Sequence, residues 1–185
     1  MRAYNELGFD TRPSVRAFSI TLLIIARARK LKNKARKAQD LLQRMSREGV
    51  RPNVICFNAV LNACAFTGND DEKEEAFAIA CGAFDHLRGD PDLAPTDVSY
   101  GTFFKSIRKL MPASDVRDRL VKGLFKRCSD EGLVSHFVLK EVSSMNVDYQ
   151  SLLEGVTDYG NLPLTWSSNV ENDVTYRTKQ ISRKK

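Results

Sequence analysis

The chain has 185 residues, 29 Lys/Arg against 23 Asp/Glu, a formal charge of +6 and a pI near 9.2. At 42% hydrophobic it can bury one modest core, which excludes a disordered chain. Its longest largely apolar run, Ile20–Ala26, is too short to span a membrane. Cys56, Cys64, Cys81 and Cys128 show no CxxC spacing and only two histidines are present to join them, so a zinc site is not expected and they read as buried reduced thiols of an intracellular protein.

The charge is local. Residues 1–53 carry thirteen basic and four acidic side chains, +9; residues 54–96 carry −6, residues 97–145 +3, and residues 146–185 none net. A basic excess confined to one stretch is what a phosphate-facing strip requires.

In chain order, residues 1–14 read as the tail of a preceding repeat or an N-terminal cap, with no signal or transit pattern visible. Val15–Arg29 is a first helix with Phe18, Leu22 and Ile25 on one face, and the apolar Thr21–Ala26 run predicts burial on most sides. Arg27–Lys37 holds seven basic residues and no acid. It reads as a solvated turn with basic helix ends, as a phosphate-contacting patch, or as a nuclear-import signal. A second helix buries Ala38, Leu41, Leu42 and Met45 and ends at Gly49, a residue free to take the left-handed conformation. Pro52 opens the next helix and Asn53 caps it. Phe57, Val60, Leu61, Cys64 and Ala65 make its apolar face, and Gly68 is the expected stop.

The acidic cluster Asn69–Glu75 sits at a helix start, where carboxylates satisfy free N–H groups; that reading is preferred to a metal site. Phe77, Ala80, Cys81, Phe84 and Leu87 form the next stripe, with His86 on the helix surface. Thr96–Met111 should bury Tyr100, Phe103, Phe104, Ile107 and Met111. The helix after Ser114 should turn Val116, Leu120, Val121, Leu124, Phe125 and Cys128 inward and end at Gly132. Ser135 stands where a fourth proline is due, with Lys140 and Glu141 in the aromatic and small positions, so this unit has decayed into a last helix over Val134–Met145. Beyond it the pattern is lost. Tyr149–Leu153 reads as a short helix, Trp166 as an aromatic that docks on the end of the last hairpin, and Arg183–Lys185 as a loose terminus.

Three stretches share one layout. Pro13, Pro52 and Pro95 are each followed by Ser14, Asn53 or Thr96, then five residues on by Phe18, Phe57 or Tyr100, then by Ser19, Asn58 or Gly101. Spacings of 39 and 43 residues with two helices per unit predict an all-α fold, an α-solenoid of stacked antiparallel helical hairpins. The units are residues 15–53, 54–96 and 97–136, a decayed fourth over 137–145, and a capping segment and tail over 146–185.

Met45–Asn58 resembles the turn of a pentatricopeptide-repeat (PPR) protein, and the resemblance extends over about Val15–Met145. It implies single-stranded RNA binding in RNA processing, stability or translation, with a mitochondrial or chloroplast location. It also implies the residues involved: Ser19 with Asn53, and Asn58 with Thr96, as base-reading pairs, and Arg16, Ile55 and Val98 as base-flanking residues. Gly101 with His136 departs from the pattern and carries no base assignment. Arg27, Lys30, Lys32 and Lys34 are candidate phosphate contacts. No catalytic constellation, cofactor motif, small-molecule substrate site or membrane partner is indicated. The alternative is a scaffold of tetratricopeptide-like repeats that binds other proteins without RNA; a broad apolar groove would mark it, and one polar reader per unit beside a basic rim would mark the RNA reading.

Overall fold

The computed structural model describes residues 13–145, 147–148, 152–153 and 162–170. The expected remnant over residues 1–14, apart from its last two residues, lies outside them, as do most of Tyr149–Leu153 and all of Arg183–Lys185. Among the described residues there are seven α-helices and no strand: α1 (Val15–Arg27), α2 (Lys34–Arg47), α3 (Val54–Ala65), α4 (Lys73–Gly89), α5 (Asp97–Leu110), α6 (Asp115–Asp130) and α7 (His136–Ser143).

Five of these helices start on a side-chain cap of one kind: α6 on Ser114, whose Oγ accepts the Arg117 N–H, and α1, α3, α5 and α7 as follows. Ser14, Asn53, Thr96 and Ser135 sit in extended conformation just before α1, α3, α5 and α7. Each side-chain oxygen accepts the backbone N–H three residues on, from Ala17 at 3.2 Å, Cys56 at 3.1 Å, Ser99 at 3.4 Å and Val138 at 3.4 Å. The bond fixes the helix start and therefore the register of every later residue in that helix. Phe18, Phe57 and Tyr100, four places after their caps, are all buried, and Leu139 takes that place in α7. Proline spacing alone misplaces the fourth unit by one residue. Ser135 is its cap and Val134 stands for proline; Leu139, not Lys140, replaces the aromatic, and Lys140, not Glu141, the small residue.

The first helices α1, α3, α5 and α7 lie side by side, each against the next, while α2, α4 and α6 are the second helices of three hairpins. Small side chains let the first helices approach. Cys56 Sγ lies 3.3 Å from Ser19 Oγ across the α1–α3 contact, and Ala59 and Ala63, on the same face of α3, are buried. Ser106 Oγ donates to the Leu61 carbonyl across the α3–α5 contact at 3.1 Å. Arg108 Nε and Nη2 both donate to the buried Glu141 Oε2, at 2.9 and 2.7 Å, tying α5 to α7.

Helix ends obey equally local rules. Gly49 (φ +74°) and Gly132 (φ +69°) close α2 and α6, where Val50 N–H reaches Met45 O and Leu133 N–H reaches Cys128 O. α3 ends earlier than Gly68, which is not left-handed; Lys34 Nζ donates instead to the Phe66 carbonyl at the helix terminus, 3.3 Å away. The tail folds back onto α6. Trp166 meets Phe125 edge-on at 5.6 Å, its carbonyl accepts from Val134 N–H at 2.7 Å, and Asn169 N–H donates to Gly132 O at 3.0 Å.

Two burial expectations fail. In α1 only Leu22 and Ala26 of the Thr21–Ala26 run are buried; Ile24 is 63% exposed, because α1 packs on α2 and α3 and no described helix covers its outer side. In α6 Val116 is exposed and Arg117 takes the inward place, its guanidinium donating to the Met145 carbonyl at 2.8 Å. The cysteines are all reduced, Cys81 half-buried and the other three buried; burial pushes the Cys64 thiol up to about 12.

Phe57 is almost wholly buried, with His86 stacked on its ring at 5.2 Å. Phe57→Ala should cost about 3–5 kcal/mol, read as a lower denaturant midpoint with an unchanged slope.

Candidate nucleic-acid interface

The shared caps place equivalent residues of successive first helices at equal heights. Two positions after the cap stand Arg16, Ile55 and Val98. All three are exposed, Ile55 by 54% and Val98 by 47%, so one unpacked side chain per unit projects from the row. Nine and thirteen positions after the cap come Leu23 and Arg27 in α1, Asn62 in α3 and Phe66 just past its end, and Lys105 and Lys109 in α5. These positions are seven and four residues apart, about two turns and one turn, and form one strip along each helix. The strip runs from Arg16, Ile55 and Val98 through Leu23, Asn62 and Lys105 to Arg27, Phe66 and Lys109, a mixed apolar and polar face with four cations.

The reading-pair residues divide into three kinds. Asn53 accepts the Cys56 N–H through Oδ1, which leaves its Nδ2 amide group as the free donor. Thr96 is held in a reciprocal cap: its hydroxyl accepts from Ser99 N–H, and its own N–H donates to Ser99 Oγ at 3.0 Å. Asn58 is half-buried, and its Oδ1 is shielded from solvent without a hydrogen-bond partner. An unsatisfied buried carbonyl costs about 1–3 kcal/mol until a donor reaches it. Ser19 is different. Its hydroxyl is buried between α1 and α3 and donates to Val15 O at 2.7 Å, so what it offers beside Asn53 is small size rather than a displayed hydroxyl.

The third unit is closed. A Cβ on Gly101 would collide with the Phe137 ring, which rests directly on that glycine. Phe137 stands two places after its cap, in the register of Arg16, Ile55 and Val98. The residue at the next cap is Ser135, not His136. Sequence spacing missed this because the fourth unit has no proline to mark it.

The basic run also divides. Arg27, Lys30 and Lys32 are not engaged by any acid in an ion pair among the described residues, and Arg27 and Lys30 lie at or near the surface of the turn. Lys34 is buried, capping α3, and desolvation lowers its pKa; it is withdrawn from phosphate contact. Arg36 pairs with Glu75 in the first turn of α4, and Glu72 accepts the Asn33 N–H at 3.1 Å, so the acidic cluster at the start of α4 takes up one cation of the far half of the run. Arg51 is likewise held by Asp90 at 2.8 Å and Asp92 at 2.6 Å. A basic residue that sequence spacing did not single out lies on the strip itself. Lys105 Nζ sits 3.9 Å from the centroid of the half-exposed Phe66 ring, its pKa lowered by desolvation. Counting nine places from the Thr96 cap and thirteen from the Asn53 cap is the signal that would have found Lys105 and Phe66.

Residues 11–69 match the family described as pentatricopeptide repeat domain. No solved structure matches the chain.

Gly101→Asn must displace the Phe137 ring and should destabilise the fold by about 1–3 kcal/mol. Adding Phe137→Ala should recover part of that loss, so a thermal-melt double-mutant cycle should show coupling between the two sites; additive effects would place the ring elsewhere.

Proposed function

We propose that the chain binds single-stranded RNA along the exposed strip of α1, α3 and α5, a reading supported by the match of residues 11–69 to the pentatricopeptide repeat domain. It acts by binding, in RNA processing, stability or translation, and in a mitochondrion or chloroplast as the resemblance implies. The observation that carries the reading is the row of exposed residues two places after the caps, with Asn62 and Lys105 further along the strip and Arg27 and Lys109 at its end. Arg16, Ile55 and Val98 flank two slots. Aliphatic tips and a guanidinium plane suit the faces of unstacked bases, and polar groups between them suit base edges. The strip is mixed: Leu23, Ile55, Phe66 and Val98 are apolar, but Arg16, Arg27, Asn62, Lys105 and Lys109 interrupt them, whereas a peptide helix would need a continuous apolar groove.

In the first slot the Asn53 amide donates toward adenine N1 or cytosine N3, and the small Ser19 leaves room for a purine, so adenine is preferred. In the second, Asn58 with Thr96 takes a pyrimidine. The repeats run along the RNA from its 5′ end, as the resemblance implies, giving adenine then pyrimidine. Phe137 on Gly101 shuts the third slot.

Asn53→Asp keeps the cap, since a carboxylate oxygen accepts the Cys56 N–H equally well, but removes the donor. In a longer array carrying residues 15–96 it should shift the first slot from adenine to guanine by about 1–3 kcal/mol, without lowering the melting temperature. Equal binding of adenine and guanine targets before and after the change would refute the slot.

Lys30→Gln with Lys32→Gln should weaken all RNA sequences alike and reduce the slope of log K against log salt by about 1.4, at about 0.7 per single-strand phosphate contact. An unchanged slope would leave both lysines as solvated turn residues.

A further inference from the structure

The second helices are unevenly spaced. α2 packs against α4, but α4 and α6 enclose a cleft of about 410 Å³. Its floor is apolar, from Phe84, Phe103 and Leu124. Gly123 of α6 leaves its wall open, with nothing within 4 Å of where a Cβ would stand. Three guanidiniums, Arg88 on α4 and Arg119 and Arg127 on α6, line its rim against a single carboxylate, Asp85. None of the three arginines is in an ion pair among the described residues.

An apolar floor ringed by unpaired cations is complementary to a ligand with a bulky apolar group between anionic ones. The floor distinguishes a peptide from a nucleic acid. Phe84 is 2% exposed, stacked on Phe103 at 4.4 Å and edge-on to Tyr100 at 5.2 Å. Its ring faces are therefore already covered, and a base has no platform to stack on. A leucine or phenylalanine side chain needs only the recess, and neighbouring carboxylates meet guanidiniums that form bidentate pairs with them. The cleft lies between second helices, away from the strip on α1, α3 and α5, and is independent of RNA binding there.

We infer that the α4–α6 cleft is a docking site for an acidic peptide segment of a protein partner, with one bulky apolar side chain seated between α4 and α6 and carboxylates on Arg88, Arg119 and Arg127. The test selects phage-displayed random dodecapeptides on the full chain and measures the winners, as labelled synthetic peptides, by fluorescence anisotropy. The expected winners carry net negative charge around a leucine or aromatic residue. They should lose at least tenfold in affinity on Gly123→Trp, which fills the recess, and on Arg119→Glu with Arg127→Glu, while the thermal melt stays unchanged. If Gly123→Trp lowers the melt, the arginine pair carries the test alone. Failure to enrich acidic sequences, or equal binding to the variants, overturns the inference. So does a single-stranded uridine oligomer that displaces the peptides and itself weakens on the arginine changes, since the cleft would then be a phosphate surface.

Discussion

The close approach of the first helices is the constraint on which the other features depend. A serine hydroxyl is short, yet Ser106 reaches a carbonyl of the neighbouring helix, which requires the α3 and α5 backbones to be nearly in contact. Ala59, Ala63 and Cys56 serve α1 and α3 in the same way. Close packing leaves little sideways freedom, so the outward residues of successive helices form a row. Larger residues in those places would spread the row and separate any two side chains meant to act together.

Much of this was legible because local rules set it. Proline, a capping residue and an aromatic four places after the cap mark three starts, and Gly49 and Gly132 end helices as glycines do. What was not legible depended on partners distant in sequence. Ile24 looked like core because its own helix is apolar, but burial needs a neighbour that the described chain does not supply. Val116 and Arg117 are adjacent, and the choice between them is made by the Met145 carbonyl, 28 residues on. Lys34 looked like one of seven equivalent cations until the end of α3 was placed over it. Residues 11–69 are also the part that matches the repeat family, and the third hairpin, where register slips and Phe137 intervenes, lies outside that match.

Charge is used for two purposes. The excess over residues 1–53 suggested one continuous basic surface, but Lys34 is buried and Arg36 and Arg51 are paired with acids at the surface. Arg36 with Glu75 and Arg51 with Asp90 and Asp92 join elements nearly forty residues apart. The distance is close to one repeat, so each pair links one unit to the next. Exposed pairs contribute little stability individually. Their effect here is to remove positive charge from some places and leave it at Arg27, Lys30 and Lys32.

The side chain of Asn53 performs two tasks at once. One of its polar atoms holds the start of α3, and the other is what the position shows to the outside. Only asparagine, aspartate, serine and threonine do the first well. Under the proposed function, variation in what that position reads is therefore drawn from four side chains: an amide, a carboxylate and two hydroxyls. The requirements of helix initiation thus limit the vocabulary of recognition, and a redesign that reaches beyond those four residues loosens the helix it was meant to instruct.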